Sequence, residues 1–158
     1  MDSLPDRFFH GSSEPFEPGF ALEPRGDAYA AAWGATDFHD ALERWRPPDR
    51  LAHRHAVFLT GSVDDVEIAG GSTEWCLEVA PEGPVSRHDL NWGSAVSRLV
   101  SEGRPADGPE VEAAARAYWA GMPHPDESVW EYLSPRAVVL RCGPYEAFDA
   151  DPAPAPSP

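Results

Sequence analysis

Apolar residues along the chain form short runs separated by clusters of proline and glycine. Four of these runs have the β-branched, aromatic or alternating composition of strands, and they span residues 7–10, 55–60, 73–79 and 137–141. In the third run every second residue is large and apolar, namely Trp75, Leu77 and Val79. That period of two predicts a strand with one face packed on a core.

Three longer segments predict helices. Residues 36–45 begin at Thr36, whose hydroxyl can cap a helix, and residues 110–119 are rich in alanine with acidic residues in the first turn. Residues 92–101 place three apolar side chains on one side of a third helix. Because the strands are scattered between isolated helices rather than alternating with them, the pattern predicts the α+β class.

Length and composition predict one compact domain. The chain has 158 residues, of which 42% are hydrophobic. A domain of this size buries about two-thirds of the surface that its unfolded chain exposes. The final segment, 149–158, alternates proline with alanine and cannot form a regular pattern of backbone hydrogen bonds, so we expect a disordered or polyproline-like tail. The predicted domain therefore spans residues 1–148.

The net charge limits the kinds of partner that we expect, and the lack of targeting signals bears on the protein's location. The net charge of −15 disfavours nucleic acid, because affinity for phosphate backbones comes from lysine and arginine. The chain has no run of about 18 apolar residues that would indicate a membrane span, and residues 1–7 lack a secretion signal, so we expect a cytoplasmic protein.

The chain has two cysteines, Cys76 and Cys142, which are too few for a disulfide framework. Buried, reduced thiols are therefore expected, with a single bridge as the open alternative.

His10 follows two aromatic residues and precedes Gly11 and Ser12. A strand would deliver its imidazole to an edge where glycine lets a ligand approach the backbone, which suits a polar small molecule. The pattern Phe9-His10-Gly11-Ser12 resembles the opening of the NAD⁺ site in the ADP-ribosyltransferase superfamily. The resemblance implies that His10 binds a ribose hydroxyl of the adenosine half, that the Gly11 backbone holds the nicotinamide carboxamide, and that Ser12 lies at the same site.

A second segment, 57–65, runs from an apolar strand into a polar turn, with a helix start after Ser62. It is similar to the strand of that superfamily whose aromatic residue stacks on nicotinamide. The family usually has tyrosine where this chain has Phe58. Stacking needs only the face of the ring, so Phe58 keeps that function without the hydroxyl. The same resemblance places Thr60 among the residues that bind the cofactor.

Two acidic residues are candidates for the catalytic carboxylate. Glu131 and Pro135 have the spacing of the superfamily's catalytic turn and strand, although Val129 stands where arginine- and asparagine-directed members often have glutamine or glutamate. Residues 76–85 resemble a strand and turn of the bacterial rifampin ADP-ribosyltransferases, in which an aspartate shortly after the turn takes the place of the catalytic acid. Asp89 is the nearest counterpart and therefore the reserve acid.

The resemblance covers residues 8–140 and implies a split β-sandwich of two mainly antiparallel sheets, with NAD⁺ in the cleft between them. The implied reaction breaks the nicotinamide–ribose bond. The ADP-ribose would pass to a protein side chain, as in small bacterial toxins, or to a small molecule such as a rifamycin. Glu131 is assigned the role of stabilising the oxocarbenium-like transition state. Transfer to water, which would make the chain an NAD⁺ glycohydrolase, is an open alternative.

Other classes of site have less support in the pattern. The six histidines show no compact metal-binding spacing such as His-Glu-x-x-His, although His53 and His55 would share one side of a strand, so no metal is expected. No nucleophile elbow, P-loop or Rossmann fingerprint occurs. The main rival to an enzyme is a non-catalytic acidic binder, such as an inhibitor or immunity protein, in which the six tryptophans act as anchors.

Overall fold

The computed structural model describes residues 4–26 and 36–149 of the chain. The strands of this part are β1 (Phe8–Ser12), β2 (Ala21–Leu22), β3 (Val57–Thr60), β4 (Trp75–Glu82), β5 (Ser86–Asp89), β6 (Trp130–Ser134) and β7 (Arg136–Gly143). Its helices are α1 (Asp37–Arg44), α2 (Val63–Ile68), α3 (Leu90–Ser101), α4 (Pro109–Trp119) and α5 (Tyr145–Asp149), with a 3₁₀ turn at His53–His55. The predicted α+β class is confirmed.

The strands form one seven-stranded antiparallel sheet in the order β2-β7-β4-β1-β3-β6-β5. The resemblance implied two sheets, and the described residues form a single one instead. The junction between β1 and β3 is narrow, since Phe9 and Thr60 are its one registered pair, whereas β1 pairs with β4 over five residues. Next to that pair, the His10 side chain bonds to the Phe58 carbonyl. The sheet is therefore almost divided beside His10.

The four predicted strands are present with shifted ends, as β1, β3, β4 and β7. The prediction that His53 and His55 lie on one side of a strand is wrong, because residues 53–55 form a 3₁₀ turn that buries His53 and leaves His55 exposed. Strand β5 has the polar sequence Ser-Arg-His-Asp, so no apolar pattern predicts it. It forms through its pairing with β6, a contact that local sequence does not encode.

The three predicted helices are confirmed as α1, α3 and α4. Thr36 caps α1, since its hydroxyl oxygen accepts a hydrogen bond from the His39 backbone N–H at 3.1 Å. The Ser62 hydroxyl caps α2 in the same way. Helix α3 begins at Leu90, earlier than predicted, because the Asp89 carboxylate is its N-cap.

Helices cover one face of β3 and β6. The buried residues between these helices and the strands include Ala41, Leu42, Val96, Val111, Ala115, Tyr118, Trp119 and Leu133, and Phe58 packs against them. The other face of the two strands carries Val57, Leu59 and Tyr132, which form a second core with residues of β1, β4 and β7. Because successive side chains of a strand point to opposite faces, Phe58 and Glu131 share the helix-covered face.

Three remaining expectations concern the C-terminus, the cysteines and the membrane. Helix α5 runs to Asp149, one residue into the predicted tail, and residues 150–158 lie outside the described residues. Cys76 is buried and Cys142 is half-buried, and no disulfide bridge joins the two. The longest described helix, α3, has 12 residues, and none in the described ranges has the length and apolar character to cross a membrane.

Candidate functional site

Three neighbouring strands in the middle of the sheet carry the residues that the sequence singles out. His10 lies on β1, Phe58 and Thr60 lie on β3, and Glu131 lies on β6. The register places Thr60 opposite Phe9 on one side and opposite Glu131 on the other. Since strands lie about 5 Å apart in a sheet, backbone positions far apart in the chain come within about 10 Å of each other.

The His10 imidazole is held by the backbone of the neighbouring strand. Its Nδ1–H donates a hydrogen bond to the Phe58 carbonyl oxygen at 2.8 Å, since a carbonyl can only accept. In the neutral ring, Nε2 then carries the lone pair. Burial is the main cause that lowers the pKa of His10, and the charge of Arg25 adds to it, which favours the neutral form. His10 can therefore accept a hydrogen bond from a hydroxyl group.

Glu131 is a buried carboxyl group in strand β6, with 5% of the residue exposed. The Tyr118 hydroxyl donates a hydrogen bond to its Oε2 at 3.1 Å. Burial raises the pKa of Glu131 to about 7, and the bond from Tyr118 opposes this rise. The group is therefore divided between its charged and neutral forms near neutral pH. A strongly shifted pKa of this kind is typical of functional sites.

Tyr118 connects Glu131 to His53. The Tyr118 oxygen lies 2.8 Å from Nε2 of His53. Tyrosine has a single hydroxyl proton, and while Glu131 is charged that proton is donated to the carboxylate. Nε2 of His53 must then carry a proton and donate to Tyr118. A continuous chain of hydrogen bonds thus runs from His53 through Tyr118 to the candidate catalytic acid.

The two buried histidines at this series of hydrogen bonds, His53 and His88, carry no charge at neutral pH. Burial lowers the pKa of His53 to about 3 and that of His88 to about 4, so both rings are neutral at neutral pH. The His88 ring stacks on the Tyr118 ring with centroids 4.7 Å apart, and its Nδ1–H donates to the Tyr118 carbonyl at 2.8 Å. His88 therefore fixes the position of the tyrosine that contacts Glu131.

Sequence reasoning did not identify Tyr118 or His53 as site residues. Tyr118 lies on an alanine-rich helix face that reads as ordinary core, and His53 was placed in the wrong element. The one available signal is general: a buried tyrosine hydroxyl needs a hydrogen-bond partner. That signal does not say which residue supplies it.

Phe58 lies on the same face of the sheet as Glu131 and touches the same group of side chains. Its ring is half-buried and lies 5.2 Å from the His53 ring in an edge-to-face arrangement. It also packs against the core beneath the helices. Phe58 thus lies next to the hydrogen-bonded side chains of His53, Tyr118 and Glu131, and part of the residue stays accessible to solvent.

Gly11, Ser12 and Thr60 make contacts that explain their residue types without a ligand. A Cβ at Gly11 would collide with the backbone oxygen of Ser72. The hydroxyls of Ser12 and Thr60 each donate to the carbonyl two residues further along, at 2.6 Å and 2.8 Å. Their assignment to cofactor binding stays a prediction.

Asp89, the reserve acid, is a buried helix cap. Its Oδ1 accepts hydrogen bonds from the backbone N–H groups of Asn91 and Val129, at 3.0 Å and 3.2 Å. Its Oδ2 accepts a third from the backbone N–H of His124 at 2.8 Å. These bonds tie the start of α3 to the loop before β6. A carboxylate occupied in this way is disfavoured as a catalytic acid, which leaves Glu131 as the candidate.

A second cluster of polar side chains adjoins the first through His53. His39 and Glu43 are one turn apart on α1 and meet His53, so that one ligand atom from each lies within 4.8 Å of the others. Across residues 4–26 and 36–149 this is the one such cluster of three histidine, cysteine or acidic side chains. The spacing of His39 and Glu43 is a helix-face signal that sequence reasoning overlooked. His53 joins them only in the folded chain.

Two surface pockets lie apart from these residues. One, of about 280 Å³, is lined by α2 and Tyr145, and the other, of about 400 Å³, is lined by Arg50, Arg87 and their neighbours. Neither is lined by Phe58 or Glu131. Glu131 is buried, so a ligand that reaches its carboxyl group must displace side chains that now cover it.

Comparison with known proteins leaves the family open, since the chain matches no family model, no curated protein and no solved structure.

Proposed function

We propose that the chain is an NAD⁺-dependent ADP-ribosyltransferase that breaks the bond between nicotinamide and ribose. One observation carries the proposal. The adjacent strands β1, β3 and β6 carry His10, Phe58 and Glu131, three residues that a family-like pattern had marked separately along the chain, and the His10 side chain reaches the Phe58 backbone where β1 and β3 barely pair. NAD⁺ is the co-substrate in this proposal, and bond cleavage itself needs no metal.

Glu131 supplies the negative charge that the reaction requires. Nicotinamide leaves with the electron pair of the C–N bond and becomes neutral, so positive charge moves onto the ribose. A carboxylate beside the ribose stabilises that charge more strongly in the transition state than in the ground state, and it does so best where water is excluded. The buried position of Glu131, with one hydroxyl donor to orient it, supports this role.

His10 and Phe58 hold the dinucleotide in the proposed complex. Nε2 of His10 accepts a hydrogen bond from a ribose hydroxyl, because Nδ1–H is already donated to the backbone. The ring of Phe58 stacks on nicotinamide, which carries positive charge before it leaves, and an aromatic face attracts such a cation.

The pKa of Glu131 links binding to proton release. With a pKa of about 7, a large fraction of the carboxyl groups is protonated in the free protein at neutral pH. The cationic nicotinamide favours the charged form, so the bound complex has a lower Glu131 pKa and releases protons as it forms. Turnover at low NAD⁺ should rise as pH increases through about 7 and then level off.

The acceptor of the ADP-ribose is proposed to be a protein side chain. Glu131 in the catalytic position, rather than Asp89, is the arrangement associated with protein-modifying members of the family that the sequence resembles. A small bacterial toxin or defence protein would fit such an activity. The acceptor's nucleophile attacks the ribose carbon as nicotinamide departs and then loses its proton.

The test of the proposal is a titration of the purified chain with NAD⁺, followed by an assay for released nicotinamide in the same sample. Binding with release supports the proposal even when water is the acceptor. Binding without release calls for the same assay with cell-lysate proteins as acceptors and labelled NAD⁺. Absence of binding would overturn the proposal in favour of a non-catalytic acidic binder.

The Phe58→Ala variant tests whether the dinucleotide occupies this place. We expect NAD⁺ affinity to fall by about 1 to 3 kcal/mol, the scale of a lost aromatic stack. Phe38→Ala is the matched control, because Phe38 packs against the same core from α1 and carries no assigned role. An equal loss of affinity in both variants would show a general effect on folding instead.

A further inference from the structure

We propose that His39, Glu43 and His53 form a binding site for a divalent transition metal of the zinc class. Nothing in this inference depends on NAD⁺ chemistry. The two sites are adjacent in space, but the metal site is defined by its own donors, one turn of α1 and the 3₁₀ turn that follows it.

The donor types suit zinc. Two imidazole nitrogens and one carboxylate are the ligands of many catalytic zinc sites, which keep a fourth position for water or substrate. Harder cations such as Mg²⁺ prefer sets made only of oxygen ligands. The combination of His39, Glu43 and His53 therefore favours divalent transition-metal ions such as zinc, cobalt, nickel and copper over Mg²⁺ and Ca²⁺.

The backbone already holds the three residues in place. His39 and Glu43 lie at positions i and i+4 of α1, where side chains share one face of the helix. Glu43 Oε1 accepts a hydrogen bond from the His53 backbone N–H at 2.9 Å, which anchors the 3₁₀ turn to the helix. The ligand atoms lie within 4.8 Å of one another. Ligands around a tetrahedral zinc ion are about 3.4 Å apart, so the three donor atoms must approach one another by up to about 1.4 Å to close the site.

His53 also has the support that metal-binding histidines usually show. Such a histidine binds the ion through one ring nitrogen and donates the N–H of the other to a fixed acceptor. Nε2 of His53 is bonded to the Tyr118 hydroxyl at 2.8 Å, and Tyr118 in turn donates to Glu131. When Nε2 donates, Nδ1 is the nitrogen that can coordinate an ion. The orientation of the ring is thus set from outside the cluster.

Arg46 lowers the metal affinity that we expect of this site. Its Nε donates to Glu43 Oε2 at 2.8 Å, and its charge weakens the attraction of a cation to this carboxylate. An ionised carboxylate has about four acceptor positions, so the arginine and a metal ion can share it. The net charge of the chain, −15, favours cations in the surrounding solution. These opposing charges predict a site weaker than a dedicated structural zinc centre.

The test uses the full chain without an affinity tag, stripped of metal with a chelator. Zn²⁺ is titrated against a chromophoric indicator, and Co²⁺ is added separately to record the visible absorption of a low-symmetry nitrogen and oxygen site. We expect about one ion per chain and a loss of affinity of more than about tenfold in His39→Ala. Alanine is favourable in a helix, so this variant should keep its fold.

The matched control is His55→Ala, which removes an exposed histidine two residues from His53 and should leave the affinity unchanged. A further variant, Tyr118→Phe, removes no ligand and should weaken binding by about tenfold through the lost bond to His53. The proposal is overturned if the chain binds no Zn²⁺ in a one-to-one complex. It is also overturned if His39→Ala binds as well as the unmodified chain, or no worse than His55→Ala.

Discussion

Glu131 and Asp89 are both buried carboxyl groups on neighbouring strands, yet their surroundings are opposite. The register of β5 with β6 pairs His88 with Glu131 and Asp89 with Trp130, so the two groups are only one residue apart along the ladder. Asp89 accepts three backbone hydrogen bonds and ties a helix to a loop. Among the residues that the structure describes, Glu131 accepts one hydrogen bond, from a side chain, and burial raises its pKa to about 7.

The comparison shows that two similar carboxyl groups can have different roles, one structural and one chemical, because their surroundings differ. A carboxylate that accepts three backbone N–H groups has most of its acceptor positions occupied by the fold. A carboxyl group in an apolar layer with one donor is less stable as an anion, so it gains most from a positive charge that arrives with a ligand. On this basis Glu131 is the group that can respond to a substrate.

The largest expected effect compares turnover in Glu131→Gln and Asp89→Asn. Glutamine keeps the shape of Glu131 but cannot carry the charge, so nicotinamide release should fall by about 10² to 10³ while NAD⁺ binding persists. Asp89→Asn should lower the stability but leave the turnover of the folded fraction near that of the unmodified chain. The assignment would be reversed if Asp89→Asn were inactive and Glu131→Gln fully active.

The next effect is the pH dependence of stability. The pKa of Glu131 is about 7 in the folded chain and near 4.5 when unfolded, so the folded state holds the extra proton between these values. The contribution of Glu131 is therefore fully present below about pH 4.5 and is lost as pH rises through about 7. Relative to Glu131→Gln, the unmodified chain should lose about 3 kcal/mol over this window.

Urea unfolding of the two proteins at several pH values measures this difference. The buried histidines His53 and His88 change the stability in the opposite direction, since their lowered pKa values favour folding as pH rises towards 6.5. Both proteins contain them, so their effect cancels in the difference. A difference that does not vary with pH would mean that the pKa of Glu131 is the same in the folded and the unfolded chain.

A third prediction tests the structural role of Asp89. The Asp89→Ala variant leaves three backbone N–H groups without their acceptor and removes the cap of α3. We expect the free energy of unfolding to fall by about 2 to 3 kcal/mol. The control, Asp126→Ala, removes an exposed acid from the same loop region and should change the stability by less than about 0.5 kcal/mol. Similar losses in both would contradict the capping role.

The smallest effect concerns Tyr118→Phe, which removes the hydroxyl that donates to Glu131. The anion then has less support, so the pKa of Glu131 should rise further and the pH profile of turnover should move to higher pH. We expect stability to fall by about 2 kcal/mol, because the hydroxyl bonds to both Glu131 and His53 and each hydrogen bond contributes about 1 kcal/mol. A pH profile that stays in place would show that burial alone sets the pKa of Glu131.

Local patterns identified much of the secondary structure. Period-two and apolar runs found β1, β3, β4 and β7, and capping residues found the helices that begin after Thr36 and Ser62. Strand β5 escaped detection because its residues are all polar. The 3₁₀ turn at residues 53–55 was mistaken for strand because its histidines adjoin a true strand without a turn signal.

The candidate site was only partly visible in the sequence. His10, Phe58 and Glu131 could be named because each belongs to a short motif. Tyr118 and the cluster of His39, Glu43 and His53 could not, because their partners come from different elements. A motif search compares residues along the chain, whereas these contacts depend on which helix packs against which strand.

The sequence by itself determined the acidic character of the chain, its class, most of its strands and helices, and the residue types available for chemistry. Those properties depend on composition and on periods of a few residues, and both are local. The tertiary structure decided that one sheet replaces two and that Asp89 caps a helix while Glu131 is buried beside Tyr118. Burial and hydrogen-bond partners set the pKa and the role of a carboxyl group, and both exist only after distant segments have packed together.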